Sequence, residues 1–206
     1  MVLVTGFEPF GGESRNPSAE VALSLDGRII AGASLVGQVL PCVFGLALRQ
    51  LRRSVRRLRP ELVICLGQAG GRSCLSLERV AINVDDARIP DNAGLAPVDE
   101  AIASNGPVAY WSTLPIKRIM AALRAAGLAA EISQTAGTFV CNHVFYGLMR
   151  TLARSGGRGG FIHIPYASGQ GEPCMEIDEM VRGIALAIEV ALSATEDVRV
   201  IGGAIS

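Results

Sequence analysis

Three observations predict a three-layer α/β/α sandwich with a mostly parallel, mixed sheet. Short apolar runs recur along the chain, and several end at glycine or proline. Segments with apolar residues at helical spacing separate them. No internal repeat or linker divides the sequence. Strands that alternate with helices build a parallel sheet covered on both faces. At 206 residues, half of them apolar, the chain is long enough for one domain with a sizeable core, taken as residues 1–206.

The elements follow in order. Val2, Leu3 and Val4 read as a buried strand that runs into a loop over 6–17. Ser18 is expected to cap a helix through Val21, Leu23 and Leu25. Ala33–Leu40 is a second strand, stopped by Pro41. A basic helix follows, with arginines at 49, 52, 53, 56, 57 and 59 and with Phe44, Leu48, Leu51, Val55 and Leu58 at helical spacing. A third strand, 62–66, ends at Gly67. The glycine-rich loop 67–71 leads to an extended stretch over 75–84. Residues 85–106 are polar and turn-rich, with Pro90-Asp91-Asn92 among them. A connection that long is usually functional or carries small irregular elements. Then come a helix over 116–126, a short strand over 130–133 and a helix over 138–154. A strand over 161–164, stopped by Pro165, and a helix over 175–193 complete the pattern.

Composition narrows the function. The formal net charge is zero, so no overall field draws the chain to nucleic acid or to an anionic membrane. No aromatics interleave with the arginines of the basic run, which reads as a solvated helix face. The five cysteines are odd in number and lack CxxC spacing, so neither a disulfide framework nor a zinc site is expected. Reduced thiols fit a cytoplasmic setting. The first residues lack signal-peptide character, and no apolar stretch is long enough to span a bilayer.

In a parallel α/β sheet, sites gather beyond the carboxyl ends of the strands. Cys141 lies early in a predicted helix, where the helix N-terminus favours a thiolate. Buried inert thiols are common, and Cys65, inside an apolar strand, reads as one. A cysteine nucleophile needs a base, and only His143 and His163 are available. On a helix, His143 lies about 200° around from Cys141, so it reads as a surface or packing residue. His163 alternates with Ile162 and Ile164 and meets the sheet's carboxyl edge at Pro165. Its competing reading is a core histidine bonded to a backbone carbonyl. A third group usually orients the base. Glu78, Asp85 and Asp86 are all candidates, and spacing does not choose among them.

Several segments together resemble the pyroglutamyl peptidase I family, the pyrrolidone-carboxylate peptidases. They are Val4-Thr5-Gly6-Phe7-Glu8-Pro9-Phe10-Gly11-Gly12, Asn16-Pro17-Ser18, Gly67-Gln68-Ala69-Gly70-Gly71-Arg72 and Glu78-Arg79-Val80. Further along come Asp86-Ala87-Arg88-Ile89-Pro90, Ala136-Gly137-Thr138, Cys141-Asn142 and Phe161-Ile162-His163-Ile164-Pro165. The resemblance covers nearly the whole chain in the family's order. It implies a phosphorylase/hydrolase-like fold and a thiol protease that removes N-terminal pyroglutamate. It implies Cys141 as nucleophile, His163 as base and Glu78 as orienting acid. It further implies Arg88 near the oxyanion and Phe7 and Phe10 as pocket walls. Asn16 would support that pocket, and backbone groups near Gln68 and Val140 would bind the lactam. Peptide substrates, no cofactor, no metal and a homo-oligomer, tetramer or dimer, are expected on the same ground. His143 departs from the family's pattern, and the stretch after Tyr166 is shorter than the family's.

Two readings compete. Glycine-rich loops after strands suit a nucleoside phosphorylase-like enzyme, although that reading leaves Cys141 and His163 unused. A catalytically dead binding module on the same scaffold is the other.

Overall fold

A computed structural model describes residues 1–194 and 196–203. In chain order the elements are β1 (Val2–Phe7), α1 (Pro17–Leu25), β2 (Ile29–Ile30), β3 (Ala33–Leu40), α2 (Leu46–Leu58), β4 (Leu62–Gln68), β5 (Leu75–Glu78) and β6 (Val80–Ile82). They continue with β7 (Ala109–Trp111), α3 (Ile116–Ala125), β8 (Ala130–Ser133), α4 (Val140–Ser155), β9 (Arg158–Ile164), β10 (Tyr166–Ala167), β11 (Cys174–Met175) and α5 (Ile177–Ser193).

Seven strands form one sheet in the order β2-β3-β1-β4-β9-β5-β8. The pairs β1–β3, β1–β4, β4–β9 and β5–β8 are parallel. β2 against β3 and β5 against β9 are antiparallel, which makes the sheet mixed. Every residue of β1 and of β4 is buried. Strands covered on both faces become continuous apolar runs of this kind.

Alternation along β1 sends its side chains into two different cores. Val2 and Val4 join one cluster with Val21 of α1, Ile119 of α3 and Ile184 of α5. Leu3 joins the other with Leu51 of α2 and with Val144 and Leu148 of α4. So α1, α3 and α5 cover one face, and α2 and α4 the other. Among the described residues, no helix is long and apolar enough to cross a membrane.

Some local expectations change. The cap of α1 is Asn16, not Ser18: Asn16 Oδ1 accepts from Ser18 N (3.0 Å), and Pro17 fills the first helical position, where no N–H is needed. Ser18 Oγ is used elsewhere, accepting from Phe7 N (2.9 Å) and donating to Asn16 Oδ1 (2.7 Å). β1 runs one residue past Gly6, β4 two residues past Leu66, and β9 starts at Arg158. The short strands β2, β7, β10 and β11 carry too few residues to show a period in the sequence.

The connection over 85–106 is ordered by side chains rather than by strands. Asp91 Oδ1 accepts from Ala93 N (2.8 Å) and Leu95 N (2.9 Å), and its Oδ2 accepts from Phe44 N (2.9 Å). Asn83 exchanges two hydrogen bonds with the backbone of Ala103, each 2.9 Å.

Gly6 lets α1 lie directly on β1. A Cβ there would fall 2.0 Å from the Ser18 carbonyl oxygen, a backbone atom that cannot step aside. Gly6→Ala is therefore expected to destabilise the fold by about 1–3 kcal/mol or more. A lower urea midpoint at unchanged m-value checks this.

Candidate active site

The register of the sheet brings the site together. On β9, His163 is paired with Gly67 of β4 on one side and with Ser76 of β5 on the other. Residues directly opposite one another share a face, as do residues two apart on one strand. Glu78, two residues beyond Ser76, and Phe161, two before His163, therefore face the same way as His163. The rings of Phe161 and His163 are 4.8 Å apart between centroids. Phe161 belongs to the core cluster under α2 and α4, and Cys141 belongs to the same cluster. Sulfur and imidazole thus lie on one side of the sheet.

Glu78 is completely buried. Its Oε1 is 2.7 Å from His163 Nδ1 and also accepts from Arg72 Nη1 at 2.7 Å. Among the described residues its Oε2 has no partner. An ionised carboxylate only accepts, so the imidazole proton is on Nδ1 and the lone pair on Nε2. Among the described residues no hydrogen bond joins Nε2 to the Cys141 sulfur; the bond that His163 makes is to Glu78. The nucleophile and base that the resemblance implies are thus not joined by a direct hydrogen bond among the described residues. Catalytic hydrogen bonds often tighten only when substrate is present.

Cys141 is the second residue of α4. The cap of this helix is Phe139, which supplies no side-chain hydrogen bond. The first N–H groups of a helix have no partner within it, so this uncapped end presents bare donors around the sulfur. Gly67 makes room for that sulfur: a Cβ on it would lie 2.8 Å from Cys141 Sγ and 2.8 Å from the Phe161 ring. Burial pushes the Cys141 thiol well above its ordinary pKa; the neighbouring Cys42 thiol and the Glu78 carboxylate add to this, and Arg72 opposes it. Cys65 is wholly buried in β4 and its thiol is pushed up to about 12 by burial, as the apolar strand around it predicts.

His143 is buried rather than on the surface, so it is a packing residue. Its Nδ1 is 2.7 Å from Asp85 Oδ2, and its Nε2 accepts from Gly45 N at 3.1 Å. Two carboxylate–histidine pairs therefore exist, one from each of two acids that spacing left open. They differ at Nε2. In His143 that lone pair is already used by backbone, and in His163 it is not.

The remaining predicted residues are spread around this centre. Phe7 ends β1 and is buried, with its ring 6.4 Å from Phe161. Phe10 is half-buried and lies 5.8 Å from Phe139. Asn16 is fixed by its cap bonds and donates to Glu8 O at 3.1 Å. Gln68 ends β4, and its Oε1 accepts from Gln170 Nε2 at 2.8 Å. Gln170 also reaches Glu13 and Arg15 O, so the short stretch after β10 straps the ends of β4 and β1 together. Val140 opens α4. Arg88 is exposed, two residues beyond Asp86, whose N–H donates to Thr138 O (2.9 Å).

The arginine on the acid is Arg72, to which sequence reasoning gave no role. Its signal was its position, six residues before Glu78 at the end of a glycine-rich loop. Asn142 was likewise given none beyond the motif. Its side chain accepts from Ile82 N (3.0 Å) and donates to Ile82 O (2.9 Å) and Val84 O (3.0 Å).

A family model for pyroglutamyl peptidase matches residues 1–194. Pyrrolidone-carboxylate peptidase 1 of Ralstonia nicotianae is 58% identical over 209 residues, covering 98% of this chain and 97% of that protein. The pyrrolidone-carboxylate peptidase of Erwinia tasmaniensis is 53% identical over 208 residues, covering 98% of each. The crystal structure of pyroglutamyl peptidase I from Bacillus amyloliquefaciens superposes with a TM-score of 0.94 at 46% identity, over 97% of this chain and 98% of that one. Identity of this extent, along the full run of the sheet and its helices, leaves one conclusion: the chain belongs to the pyroglutamyl peptidase family.

Proposed function

We propose that this chain is a cysteine peptidase that removes an N-terminal pyroglutamyl residue from peptides, with Cys141 as nucleophile, His163 as base and Glu78 as the acid that orients it. One arrangement carries the reading. A buried Glu78 holds His163 by Nδ1 at 2.7 Å, while its free Nε2 shares a sheet face with a cysteine at an uncapped helix start.

The steps follow from the proton positions. Burial keeps the resting thiol protonated. His163 Nε2 takes that proton as the sulfur attacks the carbonyl carbon that joins pyroglutamate to the next residue. A carbon–sulfur bond forms, and the carbonyl oxygen becomes an oxyanion. The bare N–H groups at the start of α4 face that charge, and Arg88 is the cation proposed to join them. The imidazolium then protonates the leaving amine as the carbon–nitrogen bond breaks. Water, losing a proton to His163, attacks the thioester and releases pyroglutamate, and the thiol regains its proton. Glu78 stabilises the imidazolium at each stage, and Arg72 holds Glu78 in place by donating to its Oε1.

The substrate accounts for the pocket. Pyroglutamate has no ammonium group, since its amine is closed into a neutral lactam. It needs apolar walls and a few amide partners rather than an acid. Phe7 and Phe10 are proposed as walls, held by Asn16. Backbone groups at Gln68 and Val140 are proposed as the lactam's partners.

The same reading treats residues 1–206 as one domain in the cytoplasm that assembles into a tetramer or dimer. The free state of all five cysteines supports the compartment. The exposed Val98, Val108 and Trp111 support self-association.

Release of a fluorescent amine from a pyroglutamyl amide tests the mechanism. Cys141→Ala is expected to abolish it, and full turnover by that variant would reject the proposal. Glu78→Gln is expected to lower kcat by about 10³–10⁴-fold, since the imidazole loses the partner that sets its tautomer. Gly67→Ala is expected to push the sulfur aside and cost on the order of 10²-fold in kcat, the penalty of about 1 Å of misplacement. The matching prolyl amide, which lacks the lactam carbonyl, is expected to fall behind by on the order of 10⁴-fold in kcat/KM.

A further inference from the structure

Away from Cys141, α2 and α4 pack side by side. They come close at Gly147, where a Cβ would meet Leu48 at 2.3 Å. Arg52 and Arg56 of α2 are four residues apart and share a helix face; Arg150 and Arg154 of α4 do the same. The four side chains and Thr151 line one groove of about 380 Å³.

The groove is electrostatically unbalanced. Among the described residues, none of these four arginines forms a salt bridge. Arg52 Nε donates only to Thr151 Oγ1, at 3.4 Å, and Arg150 Nη2 to Asn105 Oδ1, at 2.6 Å. Burial and then the charges of Arg150, Arg154 and Arg56 hold the Arg52 pKa below its usual value. Helix dipoles account for part of the pattern, since Arg56 and Arg154 lie in the last turns of their helices. Arg52 and Arg150 lie outside those turns and gain nothing from them.

We propose that the groove between α2 and α4 is a binding site for a short inorganic phosphate chain, such as pyrophosphate or triphosphate. Guanidinium forks match phosphate oxygens two at a time, a geometry that carboxylates and phosphates share. Four converging cations match the charge of a polyphosphate better than that of a carboxylate. The groove is also in the size range of ligand pockets rather than that of a single ion. No aromatic side chain lines it, so a nucleobase has no face on which to stack. That favours the bare chain over a nucleotide or nucleic acid. The formal net charge of zero makes the attraction local to this groove.

Calorimetric titration of the full chain with sodium triphosphate at physiological salt tests the site. Saturable one-to-one binding with a Kd on the order of 10 μM is expected. Arg52→Gln and Arg154→Gln are each expected to weaken it about tenfold or more, with pyroglutamyl amide turnover unchanged as the sign of an intact fold. ATP is expected to bind no more tightly than triphosphate. Absence of saturable heat, or equal affinity in the two variants, overturns the site. Binding of ATP or of a short RNA at least tenfold tighter than triphosphate overturns the assignment to an inorganic chain.

Discussion

The carboxamide of Asn142 is bonded on three sides to the backbone of Ile82 and Val84, and this fastens the first turn of α4 beside the rim of the sheet. Asn142 is wholly buried, so none of these bonds can be replaced by solvent. Leaving such a group unpaired costs about 1–3 kcal/mol. The sulfur one residue earlier inherits that fixed position. Thr138 adds a second tie, donating through Oγ1 to Asp86 O at 2.6 Å. The bare N–H groups of the helix start are held by the same fastening. Geometry around the thiol is thus set by polar bonds to the end of β6 and the residues just beyond it, rather than by the main sheet alone.

Two histidines, each on a carboxylate, make different use of the same chemistry. Asp85, His143 and the Gly45 N–H form a closed chain of bonds between the connection over 85–106, α4 and the start of α2. Phe44 packs its ring edge-on against His143, with centroids 5.5 Å apart. Both nitrogens of that imidazole are already bonded. Glu78, His163 and Arg72 form an open one, ending at an unused lone pair on the imidazole. The buried carboxylate lies between a guanidinium and an imidazole and bonds both through one oxygen. One buried acid therefore holds the histidine proposed as base, and the other ties together the scaffold.

The long periodic elements were legible in the sequence because each buries a face. Ala33–Leu40, the helix through Ile116 and the last helix all appear close to their expected bounds. The side of the sheet on which His163 projects was legible too, from Ile162 and Ile164 alone. The choice of Glu78 over Asp85 came only from the resemblance, because the pairing with His163 depends on β5 running against β9, and no local pattern records a strand's direction. Arg72 escaped because the loop that folds it back onto Glu78, six residues on, carries no periodic pattern. The convergence of Arg52 and Arg56 with Arg150 and Arg154 was also beyond reach. The two pairs are far apart in the chain and meet only where Gly147 lets two helices touch. The cap of α1 was misplaced because serine and asparagine are near-equal caps, and the competing bond from Phe7 N to Ser18 was invisible.

The reversed course of β5 has a consequence for how freely this architecture can vary. Loops that follow β1, β4 and β9 emerge at one edge of the sheet, where length changes are easily absorbed. Glu78 arrives from the other direction, locked into the body of the sheet between β9 and β8. Length changes in the loops after β1 and β9 therefore bypass the carboxylate under the imidazole, whereas the loop after β4 carries Arg72, which bonds it. Of the loops that follow these parallel strands, the one after β4 is thus the one through which the rim reaches the buried acid.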